Sequence, residues 1–183
     1  IEDIEGMGIS WDEGPDIGGD FGPYAQNMRS EIYLSVLRKL LELNLIYPCV
    51  KSRKEISSAG LMNSNGEEYL YPRHFRPLNN QWNKNEFPGA VNWRFATQWE
   101  KEISFIDQKM GKVDFKVGQE LSDFLVWRKD GFASYELASV VDDNLMKITE
   151  VVRGEDLLIS SARQCLLFDA LGWTRPDFFH WRL

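Results

Sequence analysis

Arg153 is the side chain best equipped for ligand chemistry here, because of where its segment should deliver it. In ITEVVRGEDLL, residues 148–158, the apolar Ile148, Val151 and Val152 predict a strand with Arg153 at its carboxyl end. A planar guanidinium in that position can grip a carboxylate or phosphate through two parallel charge-assisted hydrogen bonds. A surface ion pair would use the same residue equally well, and the segment alone does not separate the two readings. A second element, SYELASVVDD at 134–143, sets Tyr135 before an apolar run that closes on Asp142 and Asp143. A tyrosine hydroxyl can orient a bound amino acid, although a half-buried core tyrosine with a satisfied hydroxyl fits the pattern too. The two adjacent acids read as turn caps rather than metal ligands, since no further carboxylate cluster lies close by in sequence.

Other reactive types are sparse. His74 and His180 are the only histidines, and Cys49 and Cys165 stand far apart without a CxxC spacing. Such cysteine usage is poor material for a disulfide framework and suits a reducing, cytoplasmic compartment. The glycines of DIGGDFGPY have neither P-loop nor GxGxxG spacing. Formal net charge is −7, with acids at Glu2, Asp3, Glu5, Asp12, Glu13, Asp16 and Asp20 and no base among the first twenty residues. Bases gather later, at Lys51, Arg53, Lys54, Arg73 and Arg76, so any nucleic-acid contact must come from a local patch. No apolar run approaches the roughly twenty residues of a membrane span, and no signal peptide opens the chain. The start at Ile1 and the ending FFHWRL suggest an internal fragment.

These residues need elements to position them. The 183 residues, 43% of them hydrophobic and seven of them Trp, can bury one substantial core with a modest insertion. Residues 12–24, DEGPDIGGDFGPY, should form an ordered loop. Ile32, Tyr33, Val36, Leu37, Leu40 and Leu41 share a helical face, Asn44 supplies its stop, and LIYPCV reads as a short strand. From 51 to 124 the texture changes: NSNGEE and LNNQWNKNEFPG are loop-like, while VNWRF and EISFID alternate as half-buried strands do. DFLVWRKDGFASY predicts a strand and a tight turn at Lys129-Asp130-Gly131. After the ITEVV strand, DLLISSARQCLLFDALG predicts a helix ended by Gly172, with Leu158, Ala162, Cys165, Leu166, Asp169 and Ala170 near one stripe. Strand, short turn and long helix make the unit of a parallel α/β sheet, which binds ligands at the carboxyl ends of its strands.

The blocks WDEGPDIGGDFGPYAQNMR, YPCVKSRKEI, SYELASVVDD, ITEVVRGEDLL and SARQCLLFDALGW follow one another as they do in class I glutamyl-tRNA synthetases. The chain resembles that family over essentially its whole length, most loosely in the middle. AVNWRF and DFLVWRKDGFASYELA draw it towards the shortened glutamyl-Q-tRNA(Asp) branch. The resemblance implies an incomplete α/β, Rossmann-like class I aminoacyl-tRNA synthetase catalytic domain with a small β-rich insertion. Its first part would span 1–46, a connective insertion that contacts tRNA 47–124, and its second part 125–183. The implied reaction joins L-glutamate to ATP, with Mg2+, to give glutamyl-adenylate and pyrophosphate. The glutamyl group then passes to queuosine of tRNA(Asp) in the shortened branch, or to the terminal ribose of tRNA(Glu) in the ordinary enzymes. A cytoplasmic monomer with no membrane partner is implied as well. The family's glutamate-binding tyrosine and arginine fall on Tyr135 and Arg153.

Two departures from the family pattern stand out. The shortened branch often binds a structural zinc through Cys-x-Cys and a later Tyr-x-x-x-Cys; here Cys49 and Tyr71 remain, but Lys51 and Phe75 replace the other two ligands. Even with His74 recruited, Lys51 would oppose the cation, so zinc is not expected. The family's two ATP-binding signatures, His-x-Gly-His and a Lys-containing loop, are absent from these residues. His180 matches the family's FxHxxL stretch only loosely, with Arg182 where Pro is common. The 183 residues alone are therefore expected not to form the adenylate. A non-catalytic tRNA- or protein-binding relic of the fold is the reading from another class.

Overall fold

Apolar residues spaced three and four apart build the first long helix. In the computed structural model, which describes residues 1–77 and 87–182, a short α1 (Glu2–Gly6) and a loop precede α2 (Ser30–Glu42). Tyr33, Leu37 and Leu40 are buried, and Asn44 beyond the helix end takes φ 57°, a left-handed conformation asparagine tolerates. The Gly- and Asp-rich loop is ordered by its own side chains: Trp11 Nε1 donates to Asp16 and the Tyr24 hydroxyl donates to Glu13. Next come β1 (Ile46–Cys49) and α3 (Arg53–Ala59), the latter closed at its start by reciprocal Ser52–Glu55 hydrogen bonds. Four strands follow, β2 (Asn92–Phe95), β3 (Glu102–Asp107), β4 (Gly111–Lys116) and β5 (Phe124–Trp127). The loop expected over LNNQWNKNEFPG lies, at 78–86, outside the described residues. The chain continues through α4 (Tyr135–Leu145), β6 (Glu150–Gly154), α5 (Leu158–Leu171) and β7 (Asp177–Trp181).

The strands form two sheets. One is antiparallel in the order β1-β2-β5; the other runs β4-β3-β7-β6, with β3 and β4 antiparallel and β3, β7 and β6 parallel. β6, α5 and β7 thus make the expected strand–helix–strand unit. Sheet pairing joins distant parts of the chain, since β5 pairs with β2 and β3 meets β7 at Asp107 and Phe178. Among the described residues no helix is long and apolar enough to cross a membrane.

The stripe expected on α5 differs from the buried one. Ser161, Ala162, Gln164, Cys165, Leu167, Phe168 and Leu171 are buried, whereas Asp169 reaches out to pair with Arg175. The reason is that α5 separates two cores. Leu167 and Phe168 pack with Leu37, Leu137, Val140 and Phe95, while Ala162 and Cys165 pack with Ile103, Phe105 and Phe178. A helix covered on two sides has no single apolar face for a periodicity to reveal. Burial also pushes the Cys165 thiol up to about 12, leaving it unreactive.

Candidate active site

Arg153 sits on β6 directly across from His180 on β7, one residue before the strand's end. Three buried neighbours take its N–H groups. Nε donates to His180 Nε2 at 3.3 Å, and Nη2 donates to Ser161 Oγ and, at 2.8 Å, to Gln164 Oε1. The guanidinium carbon lies 5.3 Å from the centre of the Phe178 ring. Nη1 points the other way and donates to the Tyr135 hydroxyl at 3.4 Å, on a tyrosine that is 52% exposed. The two residues singled out from sequence therefore meet, Tyr135 opening α4 and Arg153 next to last on β6. Their shared edge faces outward while the opposite edge of the guanidinium is anchored. The surface ion-pair reading does not hold, because among the described residues no carboxylate lies within ion-pair distance of Arg153.

Sequence reasoning missed Ser161, Gln164, His180 and Asp107. Ser161 and Gln164 stand three apart on α5 beside Ser160, Arg163 and Asp169, so neither residue type nor spacing singles them out. Asp107 lies at the end of β3, where Oδ2 accepts from His180 Nδ1 at 2.7 Å and from the His180 backbone N–H at 2.9 Å. Its Oδ1 accepts from the N–H groups of Lys109 and Met110 at 3.0 and 2.8 Å. Burial alone would raise this carboxyl, but the hydrogen bonds from His180, Met110 and Lys109 hold it below the usual carboxylate range.

Asp142 and Asp143 do not cap a turn; both lie in the last turns of α4 and serve different ends. Asp142 pairs with the buried Arg29 at 2.7 Å and accepts from the Tyr33 hydroxyl at 2.8 Å. Asp143 is pushed up to about 6, by burial first, against the pull of Arg153 and with the push of Asp142. A carboxyl raised in the folded state binds a proton that the unfolded chain has already released. Its ionisation therefore costs stability as pH climbs from about 4 to about 6. Asp143→Asn is expected to raise the melting temperature at pH 7 and leave it unchanged at pH 4, as read by paired thermal scans.

The residues at the expected zinc position do not fit the metal. Cys49 Sγ lies 3.4 Å from the Tyr71 hydroxyl, whose proton is held well above the usual range by burial and then by this contact. Lys51 Nζ sits 3.0 Å from Glu55 and 4.9 Å from the Phe75 ring centre, so a cation–π contact occupies the neighbourhood. His74 packs edge-on against Phe75, and no group of three potential ligands exists among the described residues. Two donors beside an ammonium cannot complete a tetrahedral site. Prolonged chelator treatment is expected to leave the melting temperature unchanged, and a fall would reveal a structural metal.

A separate cleft of about 530 Å³ is lined by Lys51, Arg53, Arg94, Arg128 and Lys129, with Asp130 opposing them. It gathers positive charge on a chain whose net charge is −7.

A parallel strand–helix–strand unit thus presents Arg153 near a strand end, and a basic cleft lies apart from it. The chain belongs to the class I aminoacyl-tRNA synthetases, a family of ligases, since residues 1–183 match the family described as tRNA synthetases class I (E and Q), catalytic domain. Within that family, two similar relatives of this chain are glutamate enzymes. It is 41% identical to a glutamyl-Q tRNA(Asp) synthetase of Symbiobacterium thermophilum, over 98% of this chain and 56% of that protein. It is 38% identical to a glutamate–tRNA ligase of Chlamydia muridarum, over 97% of this chain and 35% of that one. The Rossmann-like α/β fold matches a glutamate tRNA ligase from Elizabethkingia meningosepticum, solved in complex with its amino acid. The TM-score is 0.81 at 29% identity, covering 100% of this chain and 38% of that structure. The chain thus spans about half or less of the length of these relatives.

Proposed function

We propose that Arg153 and Tyr135 form the glutamate pocket of an enzyme that activates L-glutamate with ATP and passes it to queuosine of tRNA(Asp). The observation that carries this reading is the guanidinium anchored on three neutral acceptors, with its Nη1 edge turned to an exposed tyrosine hydroxyl. In the activation step the glutamate α-carboxylate oxygen attacks the α-phosphorus of ATP and pyrophosphate leaves. Attack by the tRNA acceptor on the resulting acyl group then releases AMP. Because the α-carboxylate must stay free to attack, Arg153 is suited to the side-chain carboxylate and Tyr135 to a polar group beside it. ATP enters as co-substrate with Mg2+ on its phosphates, and the protein acts as a cytoplasmic monomer.

For tRNA, the cleft of Arg53, Arg94 and Lys129, joined by Lys51 and Arg128 from their exposed pairs with Glu55 and Asp130, offers local positive surface for a phosphate backbone. The ordinary ligase reading, with tRNA(Glu) as acceptor, is supported by the Chlamydia relative at a similar identity. Segments resembling the shortened branch, AVNWRF and DFLVWRKDGFASYELA, contribute β2 and β5, which pair with each other. What favours the queuosine acceptor is the resemblance itself, together with the 41% identity to the Symbiobacterium glutamyl-Q tRNA(Asp) synthetase. Charging assays of the full-length protein with both tRNAs test the choice. Glutamate transfer to queuosine-containing tRNA(Asp) is expected; transfer only to tRNA(Glu) selects the ordinary ligase, and transfer to neither supports a binding relic.

A further inference from the structure

We infer that Asp107, His180 and Ser161 are positioning residues: together they aim the Arg153 guanidinium and keep its charge unneutralised for a substrate carboxylate. The inference rests on the glutamate-pocket reading of Arg153 given above. The Asp107 carboxylate accepts four hydrogen bonds, from the backbone N–H groups of Lys109, Met110 and His180 and from His180 Nδ1. With its oxygens so engaged, it can only accept from the ring, which places the imidazole proton on Nδ1 and leaves Nε2 bare. That bare nitrogen lies 2.7 Å from Ser161 Oγ and 3.3 Å from Arg153 Nε, so it supplies the acceptor the guanidinium needs.

The arrangement separates charge from contact. Had Asp107 touched Arg153 directly, the two would form a closed ion pair with little left for a ligand. Instead one imidazole stands between them, and every acceptor described on the buried side of Arg153 is neutral: His180 Nε2, Ser161 Oγ and Gln164 Oε1. The distance between Asp107 and the cation softens the cost of burying it without cancelling it.

Aspartate, histidine and serine in a row are also the parts of a nucleophilic triad. That role does not suit Ser161, which is fully buried in the first turn of α5. Its Oγ is enclosed by the Leu157 carbonyl at 3.1 Å and by Arg153. No substrate carbonyl can reach it, and the neighbouring cation holds a hydrogen bond on the oxygen that would have to attack.

Four variants of the full-length protein, Asp107→Asn, His180→Phe, His180→Gln and Arg153→Ala, are compared by ATP–pyrophosphate exchange over a range of glutamate and ATP concentrations. Asp107→Asn presents an amide N–H to Nδ1, moves the ring proton to Nε2 and turns a donor towards Arg153. Together with His180→Phe it is expected to raise the glutamate KM about tenfold while the ATP KM stays within about twofold. His180→Gln, whose amide oxygen can stand where Nε2 accepted, is expected to restore much of the loss. Nitrogen-15 spectra of the histidine rings supply a readout independent of activity: wild-type His180 carries its proton on Nδ1, and Asp107→Asn reverses this.

Folded Asp107→Asn and His180→Phe proteins with an unchanged glutamate KM overturn the positioning role, while an Arg153→Ala defect in the same series leaves the pocket reading standing. An unchanged glutamate KM in Arg153→Ala overturns the pocket reading and this inference with it. If the Asp107 and His180 variants do not fold, the wild-type spectrum decides, because a proton on Nε2 is incompatible with the relay and a proton on Nδ1 supports it.

Discussion

Replacing Arg153 with alanine is expected to raise the KM for glutamate by roughly 30- to several-thousand-fold, the range that corresponds to losing a partner of a desolvated charge pair. The KM for ATP should move little. The asymmetry follows from geometry: the N–H groups of Nε and Nη2 are spent on His180, Ser161 and Gln164, and the outward Nη1 lies beside Tyr135. Alanine removes the cation and also strands the buried acceptors that held it, which adds to the loss. Lysine should not rescue, because a single ammonium cannot engage three acceptors on one side and a carboxylate on the other. ATP–pyrophosphate exchange by the full-length protein, varied in each substrate separately, reads the split. Equal losses for glutamate and ATP would count against the carboxylate role.

Asp142→Ala is expected to cost about 3–5 kcal/mol, because it leaves a buried arginine without its counter-charge. Against a typical domain stability of about 5–15 kcal/mol, such a loss is severe. The Arg29 side chain is 2% exposed, and besides Asp142 it donates to the carbonyls of Phe21 and Pro23 at 3.2 and 2.8 Å. The pair therefore ties α4 to α2 and to the Gly-rich loop, across 113 positions of sequence. Tyr33 adds a second bond to the same carboxylate, and Asp142 in turn raises the Tyr33 phenol, after burial, so that it stays a donor. Urea denaturation of the variant measures the loss. The double variant Arg29→Leu/Asp142→Ala should recover part of it, since the uncompensated charge goes with the arginine. A loss well below about 1 kcal/mol in the single variant would mean that the pair behaves as a solvated surface contact.

How much was legible beforehand varied with the element. α2 could be read because one face meets one core, and Asn44 marked its end. The turn at Lys129-Asp130-Gly131 was equally plain, with Gly131 at φ 88° where a side chain would be strained. β4 escaped notice because Gly111–Lys116 is largely exposed: only Val113 and Phe115 alternate with Lys112, Asp114 and Lys116, too few apolar positions to stand out. β7 escaped because its burial alternates but its polarity does not: Phe178 and the polar His180 are the buried pair, while the aromatic Phe179 and Trp181 face the other way. On α5 the apolar residues were correctly seen and wrongly oriented, since two cores compete for it.

Tyr135 and Arg153 were identifiable from residue type, local pattern and family likeness, each of which a linear sequence carries. Their surroundings were not. The bond from Arg153 to His180 spans 27 positions and that from His180 to Asp107 spans 73, and both exist only because β3, β7 and β6 align in one parallel register. Shifting that register by one residue would turn every side chain on the strand to the opposite face, and no local spacing encodes it. Whether Arg153 met a carboxylate or a neutral acceptor was likewise settled by packing, which set an imidazole between it and Asp107. Residue chemistry named the cation; the tertiary arrangement left its charge available.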